Sequence, residues 1–369
     1  MKHRFLPAAA ALALFSALIF GADAAREGAR TGLSLSFQMA VPALFPFFVA
    51  GALLTDTGVA AALGRACAWP LWKLYGLPGE AAGALVLGLT GGYPVGVQAA
   101  ADLYAAGRLD KAQAEHLLGF CNNTGPAFIV GVCGAGVFGS VRVGLLLYAL
   151  HILSALLTGL ALTHPGRGAP SPSAARRESP RPPFASALVR ACERAAETSI
   201  KVAAFITLFA VFASLLDACG ALRACMAVLT PACRLLGMPA DAAAPLTFGA
   251  MELTRGLFLL PEAGLPQRFA LPIASILLAF GGLSVWCQSL SLAAGSGVSL
   301  RRCFFGKILH AAIAGALTVL WCAAAPQPFP VFAPTETLPP LCPVWMQAIP
   351  IVMIVLINLK FLKRVKDNL

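Results

Sequence analysis

Leu89-Thr90-Gly91-Gly92-Tyr93-Pro94-Val95-Gly96 interrupts one long apolar stretch, and Cys121-Asn122-Asn123-Thr124-Gly125-Pro126 interrupts another some thirty residues on. About 160 residues later, Gly249-Ala250-Met251-Glu252-Leu253-Thr254-Arg255-Gly256 and Gly281-Gly282-Leu283-Ser284-Val285-Trp286-Cys287-Gln288 hold corresponding places. Hydrocarbon cannot satisfy free backbone N–H and C=O groups, so a broken helix survives there only when it is buried in protein or lines a cavity. Paired breaks in the two halves of a chain point to a transporter-type binding site.

The surrounding composition fixes the solvent. Of 369 residues, 59% are hydrophobic and 12% charged, with a mean hydropathy of +0.80. A soluble domain carries about 25% charged residues. Repeated apolar runs approaching 20 residues make this a polytopic α-helical membrane protein with the lipid bilayer as partner. The net charge of +11 could suggest nucleic acid, but the basic residues fall at the ends (Lys2, Arg4; Lys363, Arg364, Lys366) and in the central linker (Arg176, Arg177, Arg181). Such a distribution follows the positive-inside rule and argues against nucleic-acid binding. The eleven cysteines form no CxxC pair and no Cys/His ligand spacing, and most lie in apolar runs as small hydrophobes. No metal, cofactor or disulfide is expected. The N-terminus, with Lys2-His3-Arg4 ahead of Leu6–Phe20, has the layout of a cleavable signal peptide. We read it as an uncleaved first helix.

Residues from His164 to about Pro183 form a polar, Pro/Ser/Arg-rich linker, and the two sides look like copies. Leu74-Tyr75-Gly76-Leu77-Pro78-Gly79-Glu80-Ala81-Ala82 aligns without a gap on Leu235-Leu236-Gly237-Met238-Pro239-Ala240-Asp241-Ala242-Ala243; at the same offset Gly88 meets Gly249. The expected organisation is an N-terminal helix and loop (1–32), a first repeat (33–163), a linker (164–197), a second repeat (198–323), and an outside loop, C-terminal helix (344–361) and basic tail (324–369). Placing the N-terminus, linker and C-terminus in the cytoplasm gives each repeat an odd number of crossings, which inverts one relative to the other. The fold expected is therefore all-α, with two inverted repeats of broken or re-entrant helices and one flanking helix at each end.

The breaks carry the candidate site. Proline suits the first turn of a helix and Asn or Thr before it suits an N-cap, so half-helices are expected over 94–106 and 126–139. Their N-termini offer free N–H groups to anions or carbonyls. Gly92, Tyr93, Asn122, Asn123 and Thr124 line these breaks, with Gln98, Ser284 and Gln288 nearby; the alternative is a kinked helix whose asparagines are satisfied by neighbours. Glu252 and Arg255, three apart on one helical face, are ionisable residues at membrane depth. They either pair with each other or divide the work, Arg255 facing a substrate anion and Glu252 orienting it or carrying a proton. Gly134-Ala135-Gly136-Val137-Phe138-Gly139 spells a dinucleotide fingerprint but lacks the acidic residue, so helix packing through small residues is expected. His151 and His310 are expected to satisfy interhelical hydrogen bonds. With no Ser/His, Asp/Asp or metal constellation, an enzyme has little support.

Pro42-Ala43-Leu44-Phe45-Pro46-Phe47-Phe48, Gly92-Tyr93-Pro94-x-Gly96, Phe120–Ile129 with its Asn122-Asn123-Thr124-Gly125-Pro126 core, Gly136-x-Phe138-Gly139 and Gly281-Gly282-Leu283-Ser284-Val285 resemble the YlbJ-type sporulation integral membrane protein family. That family is also called stage V sporulation protein V, of the nucleoside-recognition, or Gate, class. The resemblance, over about residues 5–325, implies a transporter-like protein of two Gate domains that moves dipicolinic acid across the outer forespore membrane during sporulation. Val95 stands where the family leads one to expect serine, and Arg255 where it leads one to expect asparagine. The leading expectation is a transporter of a small organic anion. The alternative is a Gate module that binds or moves nucleoside-like ligands, or that gates a partner protein.

Overall fold

The computed structural model describes residues 2–59, 62, 66, 68–163, 183–293 and 296–324. Among them every regular element is helical. The expected linker up to residue 182 and the expected outside loop, C-terminal helix and basic tail after residue 324 lie outside the described residues.

Helix α1 (Lys2–Phe20) turns at Gly21 into α2 (Ala22–Leu35), which a π-helical turn at Ser36–Ala40 joins to α3 (Val41–Asp56). Short α4 (Ala68–Tyr75) follows, then α5 (Glu80–Gly91), α6 (Val95–Ala105), α7 (Lys111–Cys121), a π-helical segment (Ala127–Val137) and α8 (Val141–Ala161). The second half runs α9 (Phe184–Ala218), α10 (Ala221–Leu235), α11 (Ala243–Met251), α12 (Leu253–Glu262), α13 (Gln267–Phe280), α14 (Gly282–Ala293) and α15 (Arg301–Ala324). Among the described residues, five helices are long and apolar enough to cross a membrane: Ala22–Asp56, Val141–Ala161, Phe184–Ala218, Gln267–Ser291 and Arg301–Ala324.

The same order of elements therefore occurs twice: a 35-residue helix, a short helix, two pairs of half-helices and a long closing helix. Local chemistry repeats with it. Gly76 (φ +63°) ends α4 and Gly237 (φ +72°) ends α10, each in the left-handed region that glycine tolerates. The expected repeat starts at 33 and 198 fall inside the two long helices, which begin at Ala22 and Phe184. Those helices pack together, and Gly28 and Gly32 allow the close approach: a Cβ on Gly32 would stand 2.6 Å from the Thr207 backbone.

The breaks are of two kinds. At 12 and 11 residues, α5 and α6 reach roughly 18 and 16 Å, short of a bilayer core of about 30 Å. They fold back on each other with Gly88 against Gly96, as α11 and α12 do with Gly249 against Gly256. These are helical hairpins. The breaks after α7 and α13 instead let the chain continue, into the π-helical segment and into α14. Gly134 and Gly139 of the glycine-rich run act as packing and turn residues: Gly134 lies against Gly144 of α8, and Gly139 takes φ +66°.

Candidate functional site

Each break exposes backbone, and the four breaks satisfy or meet one another at one place. Gly92 (φ +76°) lies against Gly125, where an added Cβ would come 2.8 Å from the Gly125 nitrogen. Gly282 (φ +79°) lies against the other hairpin, 2.9 Å from the Gly249 carbonyl oxygen and 3.2 Å from the Leu253 nitrogen by the same measure. The halves then cross-connect. Thr124 Oγ1 donates to the Leu278 carbonyl at 2.6 Å, and the Tyr93 hydroxyl stands 2.9 Å from where a Gly281 Cβ would sit. Thr124 was expected to cap the following half-helix. Its hydroxyl goes instead to Leu278, a carbonyl of the last turn of α13, whose helix ends at the Gly281 break. Pro126 stands at the N-cap without a side-chain bond, and the half-helix it opens is π rather than α.

A small cavity of about 50 Å³ lies at this meeting point, lined by Gly92, Tyr93, Thr124, Glu252, Ser284 and Gln288 among others. It adjoins a larger cavity of about 500 Å³, with Val202 and Gln288 lining both. Gln98 lines the larger one, where its amide donates to Asp102 at 2.7 Å. Asn122 and Asn123 line neither but are buried beside the small cavity: Asn122 Nδ2 donates to Ser289 Oγ at 3.1 Å and Asn123 Nδ2 to the Phe120 carbonyl at 2.8 Å. Arg255 lines neither cavity; its guanidinium lies over the Phe248 ring, 5.6 Å from the centroid.

Glu252 does not form an ion pair with Arg255. Its carboxylate caps α12, accepting from the Thr254 N–H at 3.0 Å and the Arg255 N–H at 2.8 Å, and it is 2% exposed. An extended residue (φ −140°, ψ 115°) between two helices has both the geometry and the acceptor that an N-cap requires. Four other buried polar atoms here find no partner among the described residues: Tyr93 OH, Asn122 Oδ1, Asn123 Oδ1 and Ser284 Oγ. Unsatisfied buried groups cost about 1–3 kcal/mol each, so such a cluster calls for something that fills it.

Lys307, which the sequence reading passed over, lies 2% exposed on α15. It donates to the Asn122 carbonyl at 2.7 Å, faces His310 Nδ1 at 3.4 Å and stands 4.9 Å from the Tyr93 ring centroid. The signal was available: a lysine inside a 24-residue apolar helix, three residues from a histidine, is an intramembrane cation in need of partners. His310 Nε2 lies 2.9 Å from Ser154 Oγ and 3.2 Å from the His151 carbonyl, the interhelical bonding expected of it. His151 does otherwise. Its ring packs on His310 at 4.6 Å, and neither ring nitrogen has a partner among the described residues.

Comparison with known proteins agrees with this architecture. Residues 37–162 match the Gate family, described as nucleoside recognition. Over 327 residues, 84% of this chain and 80% of the relative, the protein is 27% identical to the sporulation integral membrane protein YlbJ of Bacillus subtilis (strain 168). Solved structures of CNTnw have the same fold. A variant in its intermediate 3 state gives a TM-score of 0.53 at 13% identity, covering 89% of this chain and 88% of that one. A variant in an outward-facing state gives 0.52 at 14% identity, covering 87% of each. The chain is thus a multi-pass membrane protein with the fold of CNTnw, is similar to the YlbJ sporulation protein over most of its length, and matches the Gate family, described as nucleoside recognition, over residues 37–162.

Proposed function

We propose that the protein carries a small, neutral, hydrogen-bonding solute of the nucleoside class across the membrane through the cavity where the four breaks meet. The observation that carries this reading is the polarity of the site. Glu252 contributes a buried carboxylate to the lining and Ser284 and Tyr93 contribute unpartnered hydroxyls, with the two asparagines buried beside it. No Lys or Arg side chain lines the small cavity. A small cavity with a buried carboxylate and no lining Lys or Arg suits hydroxyl and amine donors such as those of a ribose and a base better than a second carboxylate. The larger cavity presents both signs of charge, Arg194 and Lys201 with Asp102 and Glu197. The small cavity cannot hold a nucleoside alone, but the adjoining volume of about 500 Å³ falls in the ordinary range for ligand sites, with Gln288 at the junction.

The second reading, dipicolinate, is the one the family resemblance implies. Its support is the starts of α6, α14 and the π-helical segment at the breaks, each bringing the positive end of a helix dipole. The start of α12 is already occupied by the Glu252 carboxylate.

Purified protein in proteoliposomes, offered labelled uridine and labelled dipicolinate, separates the two. The expected result is saturable uridine uptake, competed by other nucleosides, falling about tenfold or more in Glu252→Gln because a hydrogen bond to a charged acceptor is replaced by a neutral one. Saturable dipicolinate uptake without uridine uptake overturns the nucleoside reading in favour of the second. Uptake of neither solute, with saturable uridine binding, makes the chain a binding module.

A further inference from the structure

The ammonium of Lys307 occupies an unusual place. Helix α7 ends at Cys121, and the carbonyls of its last turn carry the negative end of its dipole. In secondary transporters, unwound carbonyls and the C-terminal ends of half-helices are where a coupling Na⁺ or H⁺ is coordinated. Here the Asn122 carbonyl, the first beyond the end of α7, accepts from Lys307 at 2.7 Å. An ammonium has three donors and no acceptor. His310 Nδ1 takes the second at 3.4 Å, and the face of the Tyr93 ring, 4.9 Å away, receives the third. His310 can accept at Nδ1 because its Nε2 faces the oxygens of Ser154 and His151, a tautomer assigned from the hydrogen-bond network. One lysine from the last helix of the second half thereby reaches both breaks of the first half.

Resting on the transporter reading above, we propose that Lys307 is a resident, tethered cation that does the work of a dissociable metal ion, holding the 122–126 break closed against the Tyr93 hairpin so that the protein needs no sodium. A sodium ion would bring its charge and leave with it. Lys307 stays tethered to the chain, so the break keeps its donor whether or not the cavity is filled.

The test reads the break itself rather than transport. Cys121 is fully buried beside Lys307's acceptor, and Cys233, 1% exposed in another core cluster, reports global unfolding. Purified full-length protein is treated with N-ethylmaleimide in sodium chloride or choline chloride, and the modified cysteines are mapped by peptide mass. Wild-type Cys121 is expected to react at the same slow rate in both salts. In Lys307→Ala, Cys121 should react about tenfold faster in choline while Cys233 does not change. Added n-propylammonium or sodium should slow it again by filling the vacated space. Sodium-dependent protection of wild-type Cys121 overturns the proposal, and so does full protection of Cys121 in Lys307→Ala with no small cation present. If that variant fails to fold, the two-salt comparison on the wild type still decides. Failure of both uridine and dipicolinate uptake by protein that behaves as expected here would remove the transport reading and leave the role of Lys307 standing.

Discussion

The two halves of the chain make the same pair of breaks with different materials. In the first half the hairpin turns on Gly92-Tyr93-Pro94 and the continuing helix breaks over Asn122-Asn123-Thr124-Gly125-Pro126. In the second half the hairpin turns on the single extended residue Glu252, and the continuing helix breaks at two left-handed glycines, Gly281 and Gly282. The first half thus supplies neutral polar atoms, several of them unpartnered, and the second supplies charge, the Glu252 carboxylate and the Lys307 ammonium. One order of elements, used twice, brings different chemistry to the place where the breaks meet.

The comparison breaks outright if the halves are not related by inversion. Inverted repeats put the start of α7 and the start of α13 on opposite membrane faces. Single cysteines at exposed Lys111 and Arg268 should then be labelled by an impermeant thiol reagent from opposite sides, an all-or-none outcome mapped by peptide mass. Labelling from the same side refutes inversion while leaving the repeated order of elements intact.

The glycines that let the hairpins close offer a graded test. A Cβ at Gly88 would run into the Cys121 carbonyl, which is backbone and cannot yield. At Gly249 it would meet the Leu277 methyl groups at 2.6 and 2.7 Å, the far end of a side chain that can rotate. Gly88→Ala should therefore cost about 3 kcal/mol or more and Gly249→Ala about 1 kcal/mol, read as thermal unfolding midpoints in detergent. Equal losses would mean that the two hairpins are packed alike.

The smallest effect expected is at Arg255. Because it caps nothing, lines neither cavity and lies over Phe248, Arg255→Gln should change uridine uptake by less than about twofold, the scale of a surface-type substitution. A loss as large as that in Glu252→Gln would return Arg255 to the site and favour an anionic solute.

Much of this was legible because the breaks are written in glycine, proline and asparagine, whose backbone preferences are local. The offset that aligns Gly88 with Gly249 can be seen without a structure. What the sequence could not give was direction. Spacing put Glu252 and Arg255 on one helical face, but helical spacing begins only after the cap, and Glu252 is the cap. Its side chain turns back onto the helix start while Arg255 leaves along the helix surface. Nor could spacing reveal that Thr124 would serve a carbonyl 154 residues away. Lys307 carries no such local mark, because its helix, α15, is unbroken.

The contact between Gly92 and Gly125 bears on how such a protein can evolve. Two backbones touch there, and every other amino acid would add a carbon 2.8 Å from the Gly125 nitrogen. The cavity residues above that floor, a tyrosine, a serine, a glutamine, can each be exchanged for another side chain at the cost of a contact. Selection can therefore change the lining of the cavity one residue at a time while the glycine contact beside it is closed to drift. A lineage could alter what the cavity presents without losing the backbone contact that frames it.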